Sequence, residues 1–148
     1  MDTKKLKNDL EKIIDICNDG VNGYEKAADK IEDKDESLKT LFLRFSQQRK
    51  GFIENIKTEG IRLGIEFKET GTVKGFFHRT WLTAKANFAS NEKEKVINEA
   101  MTGEKEALEV YAKVVSDNGL PEYLRDTLKE QQHLIKIAIQ QLNDLKAE

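Results

Sequence analysis

The sequence predicts an all-α protein: a four-helix bundle made of two helical hairpins, joined by a long crossover that carries a short extra helix. Two observations lead to this prediction. Apolar residues recur at steps of three and four along four long segments, which is the spacing of amphipathic helices. Clusters of β-branched residues are scarce, and Pro121 is the sole proline. A chain of 148 residues can bury a proper core, so we predict a single domain over residues 1–148.

The first hairpin is predicted from two apolar stripes separated by the turn "DKDES". The first helix runs from about Thr3 to Ile31, and the second ends near Leu63, where Gly60 and Gly64 act as stop signals. The stripe of the first helix contains Leu6, Leu10, Ile13, Cys17, Gly20, Tyr24, Ala27 and Ile31. The stripe of the second contains Leu38, Leu41, Phe45, Gln48, Phe52, Ile56 and Leu63.

The crossover is predicted over about residues 64–90, and the second hairpin follows it. Within the crossover, "GTVKGFFHRTWLTAKANFA" has the pattern of a short amphipathic helix, with Val73, Phe77, Trp81, Ala84 and Phe88 on one stripe. "DNGLP" separates the last two long helices, because a glycine commonly follows a helix and a proline commonly opens one. Their stripes contain Ile97, Ala100, Glu104, Ala107, Tyr111 and Val114, then Leu124, Leu128, Gln131, Ile135, Ala138, Leu142 and Leu145.

Composition argues against several classes of function. The net charge is −2, with 25 basic and 27 acidic residues interleaved, so neither a nucleic-acid surface nor a polybasic membrane face is indicated. No apolar run approaches the roughly 20 residues that cross a bilayer. The start, "MDTKKLKNDLEK", lacks the apolar core of a signal peptide. A single cysteine, Cys17, suits a reducing cytoplasm. We therefore expect a cytoplasmic protein with neither nucleic-acid nor membrane partners.

Glu130 and His133 have the spacing Glu-x-x-His, which on a helix can hold one metal ion. The buried stripe of that helix passes through Gln131, and His133 lies about 200° around the helix from it, at about 100° per residue. His133 is therefore predicted to face water. We interpret the match as a solvated surface histidine rather than a metal site.

The two hairpins resemble each other in the polar residues on their stripes. Each hairpin has a tyrosine with a polar residue seven positions before it, and a glutamine on its second helix. The matched pairs are Tyr24 with Tyr111, Cys17 with Glu104, and Gln48 with Gln131. Two such hairpins joined by a long crossover form the topology of ferritin-like bundles.

Ferritin-like di-metal proteins carry a carboxylate near the middle of each helix, with a histidine three residues later on the second and fourth helices. At the matching positions this chain has Cys17, Gln48, Glu104 and Gln131. The residues three after the glutamines are Gly51 and Leu134. A di-iron centre needs several carboxylates and usually imidazoles. We therefore predict a ferritin-like frame without its metal centre and without a cofactor.

The polar positions could have either of two roles. One is a polar layer that sets how the helices align; the other is a ligand or redox site that uses Cys17. A buried Glu104 needs donors, which could be the amides of Gln48 and Gln131, or the side chain of Arg49. The hydroxyls of Tyr24 and Tyr111 lie two turns away along their helices.

The crossover segment holds a second unusual group of side chains. His78, Arg79 and Trp81 lie together in "GFFHRTWLTAK". They could form a contact patch for a partner. Because Trp81 lies on the apolar stripe, the alternative is that it anchors the crossover helix by packing.

The chain resembles a known family over almost its whole length. The residues that carry the resemblance are "CNDGVNGYEKAADKI", "LFLRFSQQRKGF", "GTVKGFFHRTW" and "GEKEALEVYAKVV". They resemble the bacterial ferritin-like four-helix-bundle proteins catalogued as a domain of unknown function. The resemblance implies a cytoplasmic helical bundle with no assigned activity and no established catalytic residues. It also implies, loosely, a role in stress.

Two functional hypotheses follow. The first is a non-enzymatic bundle that acts through protein contacts, as a homo-oligomer or with another protein. The second is a metal-binding or redox protein with a remodelled ferritin-like site. Metal content of the purified protein separates them.

Overall fold

The computed structural model describes residues 2–31, 34–67 and 92–146, which form four helices and, within these ranges, no strand. The helices are α1 (Thr3–Ile31), α2 (Glu36–Arg62), α3 (Glu92–Val115) and α4 (Glu122–Lys146). The all-α bundle is thus confirmed. The short helix predicted in the crossover, with His78, Arg79 and Trp81, lies outside the described residues and stays a prediction.

The ends of α2 follow from local hydrogen bonding. Asp35 has an extended backbone (φ −149°) and its carboxylate accepts from the backbone N–H of Leu38 at 3.1 Å, so it caps the start of the helix. Past the end of the helix, Gly64 has φ 83°, a left-handed conformation that glycine adopts without strain. Gly60, predicted as a stop signal, instead lies within α2. The Phe67 ring packs where a Cβ of Gly60 would be, so the glycine allows the chain to fold back on the helix.

The turn between α3 and α4 is held by Arg125. Its guanidinium donates to the carbonyls of Val115, of Asp117 at 3.0 Å and of Leu120 at 3.3 Å. These carbonyls belong to the end of α3 and the turn after it, where helical partners are missing. The Arg125 side chain, from the next helix, thus supplies hydrogen-bond donors to the carbonyls at the C-terminal end of α3.

Contacts at the two ends of the bundle show the helix directions. Lys5, at the start of α1, lies 2.9 Å from Asp117, just past the end of α3, so these two helices are antiparallel. Asp35, at the start of α2, lies 3.5 Å from Lys93, at the start of α3. These two helices therefore start at the same end, and the end of α2 and the start of α3 lie at opposite ends of the bundle. Within the described residues, α1 packs against α2 and α3, α3 packs against α4, and α2 meets α4 less closely.

The buried face of α2 corrects the predicted one. Phe45 and Phe52 are buried as predicted, whereas Leu41 and Gln48 are only half-buried. Phe42 and Arg49, one residue further, point into the bundle instead. One residue turns a helix by about 100°, so the buried face of α2 is rotated from the predicted one toward Phe42 and Arg49. Burying Phe42 lets its ring pack on that of Tyr24, with the ring centres 5.2 Å apart.

None of the helices in the described part of the chain combines the length and the apolar character needed to cross a membrane.

Candidate functional site

A layer of polar side chains crosses the middle of the bundle, and we call it the polar layer. Every helix contributes to it, and each side chain is at most 3% exposed. Its members are Cys17 and Tyr24 from α1, Arg49 from α2, Glu104 and Tyr111 from α3, and Gln131 from α4. Burial at this depth requires each polar group to find a partner, and the partners divide the layer into two halves.

The charged half is an ion pair between Arg49 and Glu104. The two terminal nitrogens of the guanidinium each donate to one carboxylate oxygen, both at 2.6 Å. The guanidinium carbon also lies 5.4 Å from the centre of the Phe52 ring. Burial disfavours the charge, but the Glu104 carboxylate outweighs burial and raises the pKa of Arg49 above its ordinary value. Arg49 is therefore a permanent cation inside the bundle.

Tyr24 lies beside this ion pair. Its ring packs against Phe42 and Phe45, with ring centres 5.2 and 5.3 Å away. Burial, and then the negative charge of Glu104, raise the pKa of the Tyr24 hydroxyl well above its usual value. The phenol therefore stays neutral beside the carboxylate.

The neutral half is a chain of hydrogen bonds. The Tyr111 hydroxyl donates to Oε1 of Gln131 at 2.7 Å, and Nε2 of Gln131 donates to the backbone carbonyl of Phe52 at 3.4 Å. A carbonyl can only accept, which sets the orientation of the amide. Sγ of Cys17 lies 3.3 Å from the Tyr111 oxygen. Since the one hydroxyl proton of Tyr111 goes to Gln131, the thiol is the donor.

The acid–base state of this half follows from its burial. Burial raises the pKa of the Cys17 thiol to about 11, although the charge of Arg49 acts in the opposite direction. Burial also raises the pKa of Tyr111 well above its usual value, with the neighbouring Cys17 as the next cause. Both groups therefore carry their protons at neutral pH. The reactive form of a cysteine is the thiolate, so a protonated Cys17 is a poor nucleophile.

The polar layer brings together most of the residues predicted from sequence. The side chains that contact one another, however, differ from the expected partners. Cys17, Glu104 and Gln131 are buried in it. Gln48 is half-buried, and its oxygen accepts only a 3.4 Å bond from Arg49. Of the three donors considered for Glu104, Arg49 is the one that pairs with it, rather than Gln48 or Gln131.

Two further expectations about metal ligands can be compared with the structure. Gly51, where a ferritin-like histidine would follow Gln48, is exposed, and no atom lies within 4 Å of its Cβ position. Glu130 and His133 are both exposed, which agrees with a solvated histidine. In the described part of the chain no group of three or more His, Cys, Asp or Glu side chains is placed to hold a metal ion.

The comparison with protein families is consistent with this description. The model of the family described as "Domain of unknown function (DUF2383)" matches residues 5–117, which is well over half of the chain and takes in all but the first two residues of α1, the whole of α2 and α3, and the start of the turn after α3. The chain belongs to this family. No curated protein matches it. In this member of the DUF2383 family, the matched residues contain every polar-layer side chain except Gln131.

In this DUF2383 protein, the contacts of the polar layer explain why each hairpin has a polar residue seven positions before its tyrosine. Because α1 and α3 are antiparallel, a residue seven positions before one tyrosine lies near the other tyrosine. Cys17 therefore contacts Tyr111, and Glu104 lies near enough to Tyr24 to affect its pKa. The seven-residue spacing was visible in the sequence, but which partners meet depends on the helix directions.

Cys17 is expected to react with a small thiol reagent far more slowly in the native protein than in denaturant, because the thiol is buried, protonated and hydrogen-bonded. A colorimetric thiol assay with and without denaturant measures this. Leu43→Cys in a Cys17→Ser background provides the control, since Leu43 is 43% exposed and lies on the neighbouring helix. Rapid labelling of native Cys17, at a rate similar to that of the control, would contradict the protonated, enclosed thiol.

Proposed function

We propose that this protein is a non-enzymatic, ferritin-like helical bundle that acts through protein contacts, foremost with copies of itself. The observation that carries the proposal is that the central groups engage one another. Both oxygens of Glu104 are held by Arg49, and both ends of the Gln131 amide are hydrogen-bonded. A substrate would have to break these bonds to reach them, so we assign function to the surface.

The distribution of exposed apolar side chains supports contacts made through α2 and α4. In the described ranges, all the exposed large hydrophobic residues belong to α2 and α4: Leu43, Ile61, Tyr123 and Ile137. These two helices also pack on each other less closely than α1 on α2, α3 on α4 or α1 on α3. An open groove separates them near the start of α2 and the end of α4, lined by Glu36, Ser37, Thr40, Leu41, Arg44, Gln141, Asp144 and Leu145.

Sedimentation velocity over a wide range of protein concentration tests this proposal. We expect association that weakens in Ile61→Asp and Tyr123→Asp, the two most exposed sites at 64% each. The melting temperature should hardly change, because single exposed side chains add little to folding. Asn22→Asp, an exposed position on α1, is the control and should associate like the wild type. A protein that stays monomeric at every concentration would contradict self-association.

The alternative is a metal-binding or redox protein with a remodelled ferritin-like site. The contact of Cys17 with Tyr111 at 3.3 Å is the observation in its favour. Metal analysis of protein purified without a tag distinguishes the two, since the non-enzymatic proposal expects no stoichiometric metal. The cytoplasmic location, bacterial origin and link to stress remain part of the proposal. The first is supported by the single cysteine and by the family resemblance, and the other two by the resemblance alone.

A further inference from the structure

The positions that hold metal in a ferritin-like bundle do not suit a metal in this protein. The inference rests on the proposed ferritin-like frame, in which inward carboxylates and histidines from the four helices bind two metal ions. At mid-helix this protein has Cys17, Arg49, Glu104 and Gln131. Only Glu104 is a carboxylate. The residues three after Arg49 and Gln131 are Phe52 and Leu134, neither of which can bind a metal.

The one carboxylate is also fully engaged. Both of its oxygens accept from Arg49 at 2.6 Å, and both side chains are 2% exposed. The neighbouring thiol keeps its proton and donates it to Tyr111, whereas a cysteine binds a metal ion as the thiolate. A metal ion would have to displace a guanidinium and leave it buried without a counter-charge, which is strongly unfavourable.

We infer that the Arg49 guanidinium is the resident cation of this site, and that it neutralises Glu104 in the place where a ferritin-like bundle uses metal ions. A guanidinium suits this position because it is planar, weakly hydrated and able to engage both carboxylate oxygens at once. The Phe52 ring, 5.4 Å from the guanidinium carbon, offers its aromatic face to the same group. The site therefore holds an organic cation, and this cation is a side chain of the protein itself.

The first test uses the wild-type protein and divalent metals. Thermal melts are recorded with Mn(II), with Fe(II) under anaerobic conditions, and with a chelator. We expect the same melting temperature in all three, because no metal binds the folded state at this site. A metal-dependent rise in the melting temperature that disappears in Glu104→Gln would overturn the inference.

The second test removes the resident cation and offers a free one. In Arg49→Ala, methylguanidinium at low concentration is expected to raise the melting temperature, whereas an equal concentration of tetramethylammonium, which cannot donate hydrogen bonds, is not. Gln48→Ala is the matched control and should show no such difference between the two salts, because it keeps Arg49. A folded Arg49→Ala protein with no preference for methylguanidinium would contradict the assignment.

If Arg49→Ala does not fold alone, the yield of refolding with each salt replaces the melt, and equal yields would count against the inference. Arg49→Lys gives a second measure. It keeps the charge but loses the two-pronged geometry, so it should melt below the wild type and, like it, be insensitive to metal. None of these measurements reports the oligomeric state, so they are independent of the test of self-association. A monomeric protein would contradict the proposed self-association and leave this inference standing, whereas a folded Arg49→Ala protein without a preference for methylguanidinium would contradict this inference and leave self-association standing.

Discussion

Replacing Arg49 by methionine is expected to lower the free energy of unfolding by about 3–5 kcal/mol, the range for breaking a buried ion pair from one side. Methionine is unbranched and has a similar volume, so the main loss is the charge and its hydrogen bonds. Glu104, which is 1% exposed, would remain in the core without its two 2.6 Å donors. Urea unfolding followed by circular dichroism measures the change.

Two controls separate the ion pair from simple packing. The double variant Arg49→Met with Glu104→Leu is expected to be more stable than Arg49→Met alone, because replacing both partners leaves no orphan charge. Gln48→Met, at the half-buried neighbour, should change stability by less than about 0.5 kcal/mol. If Arg49→Met lost less than about 1 kcal/mol, the charge of Glu104 would have to be satisfied from elsewhere.

Replacing Phe52 by alanine is expected to cost about 3–5 kcal/mol of unfolding free energy, as for other large-to-small changes in packed cores. Phe52 is 5% exposed, and its ring is also the aromatic neighbour of the Arg49 guanidinium. Phe45→Ala should behave alike, because Phe45 is 3% exposed and packs on Tyr24. Chemical denaturation of both variants gives the values.

The matched control is Leu43→Ala on the same helix. Leu43 is 43% exposed, so its truncation should change stability by less than about 0.5 kcal/mol. The contrast between the phenylalanines and Leu43 tests the face of α2 that the structure buries. Similar small losses at all three positions would mean that a different face is buried.

The helix α2 shows how far a periodic pattern can be interpreted. Phe45, Phe52 and Ile56 were predicted on the buried stripe and are buried. Leu41 and Gln48 also fitted the spacing, yet Phe42 and Arg49 take the interior. A stripe of three- and four-residue steps defines a face only to within about one residue, or about 100°. The rotation within that range is decided by which side chains find partners on other helices.

The polar layer shows the same limit for a site. Burial of Cys17, Glu104 and Gln131 followed from their places on three stripes, but their partners did not. Gln131 was considered as a donor to Glu104, and it instead joins Tyr111 to the Phe52 carbonyl. Arg49 was one of several candidate partners of Glu104, and only the packed bundle shows that its guanidinium reaches both oxygens.

The sequence by itself determined the four long helices, their approximate bounds, the all-α class and the presence of polar residues in mid-core. These properties depend on local patterns: apolar periodicity, the turn "DKDES", and breaks such as Gly64 and Pro121. Only the tertiary structure decided which polar groups meet and that a guanidinium, rather than an amide, neutralises Glu104. Those outcomes depend on helix directions and rotations, which are set by contacts between residues far apart in the chain, such as the 55 positions between Arg49 and Glu104.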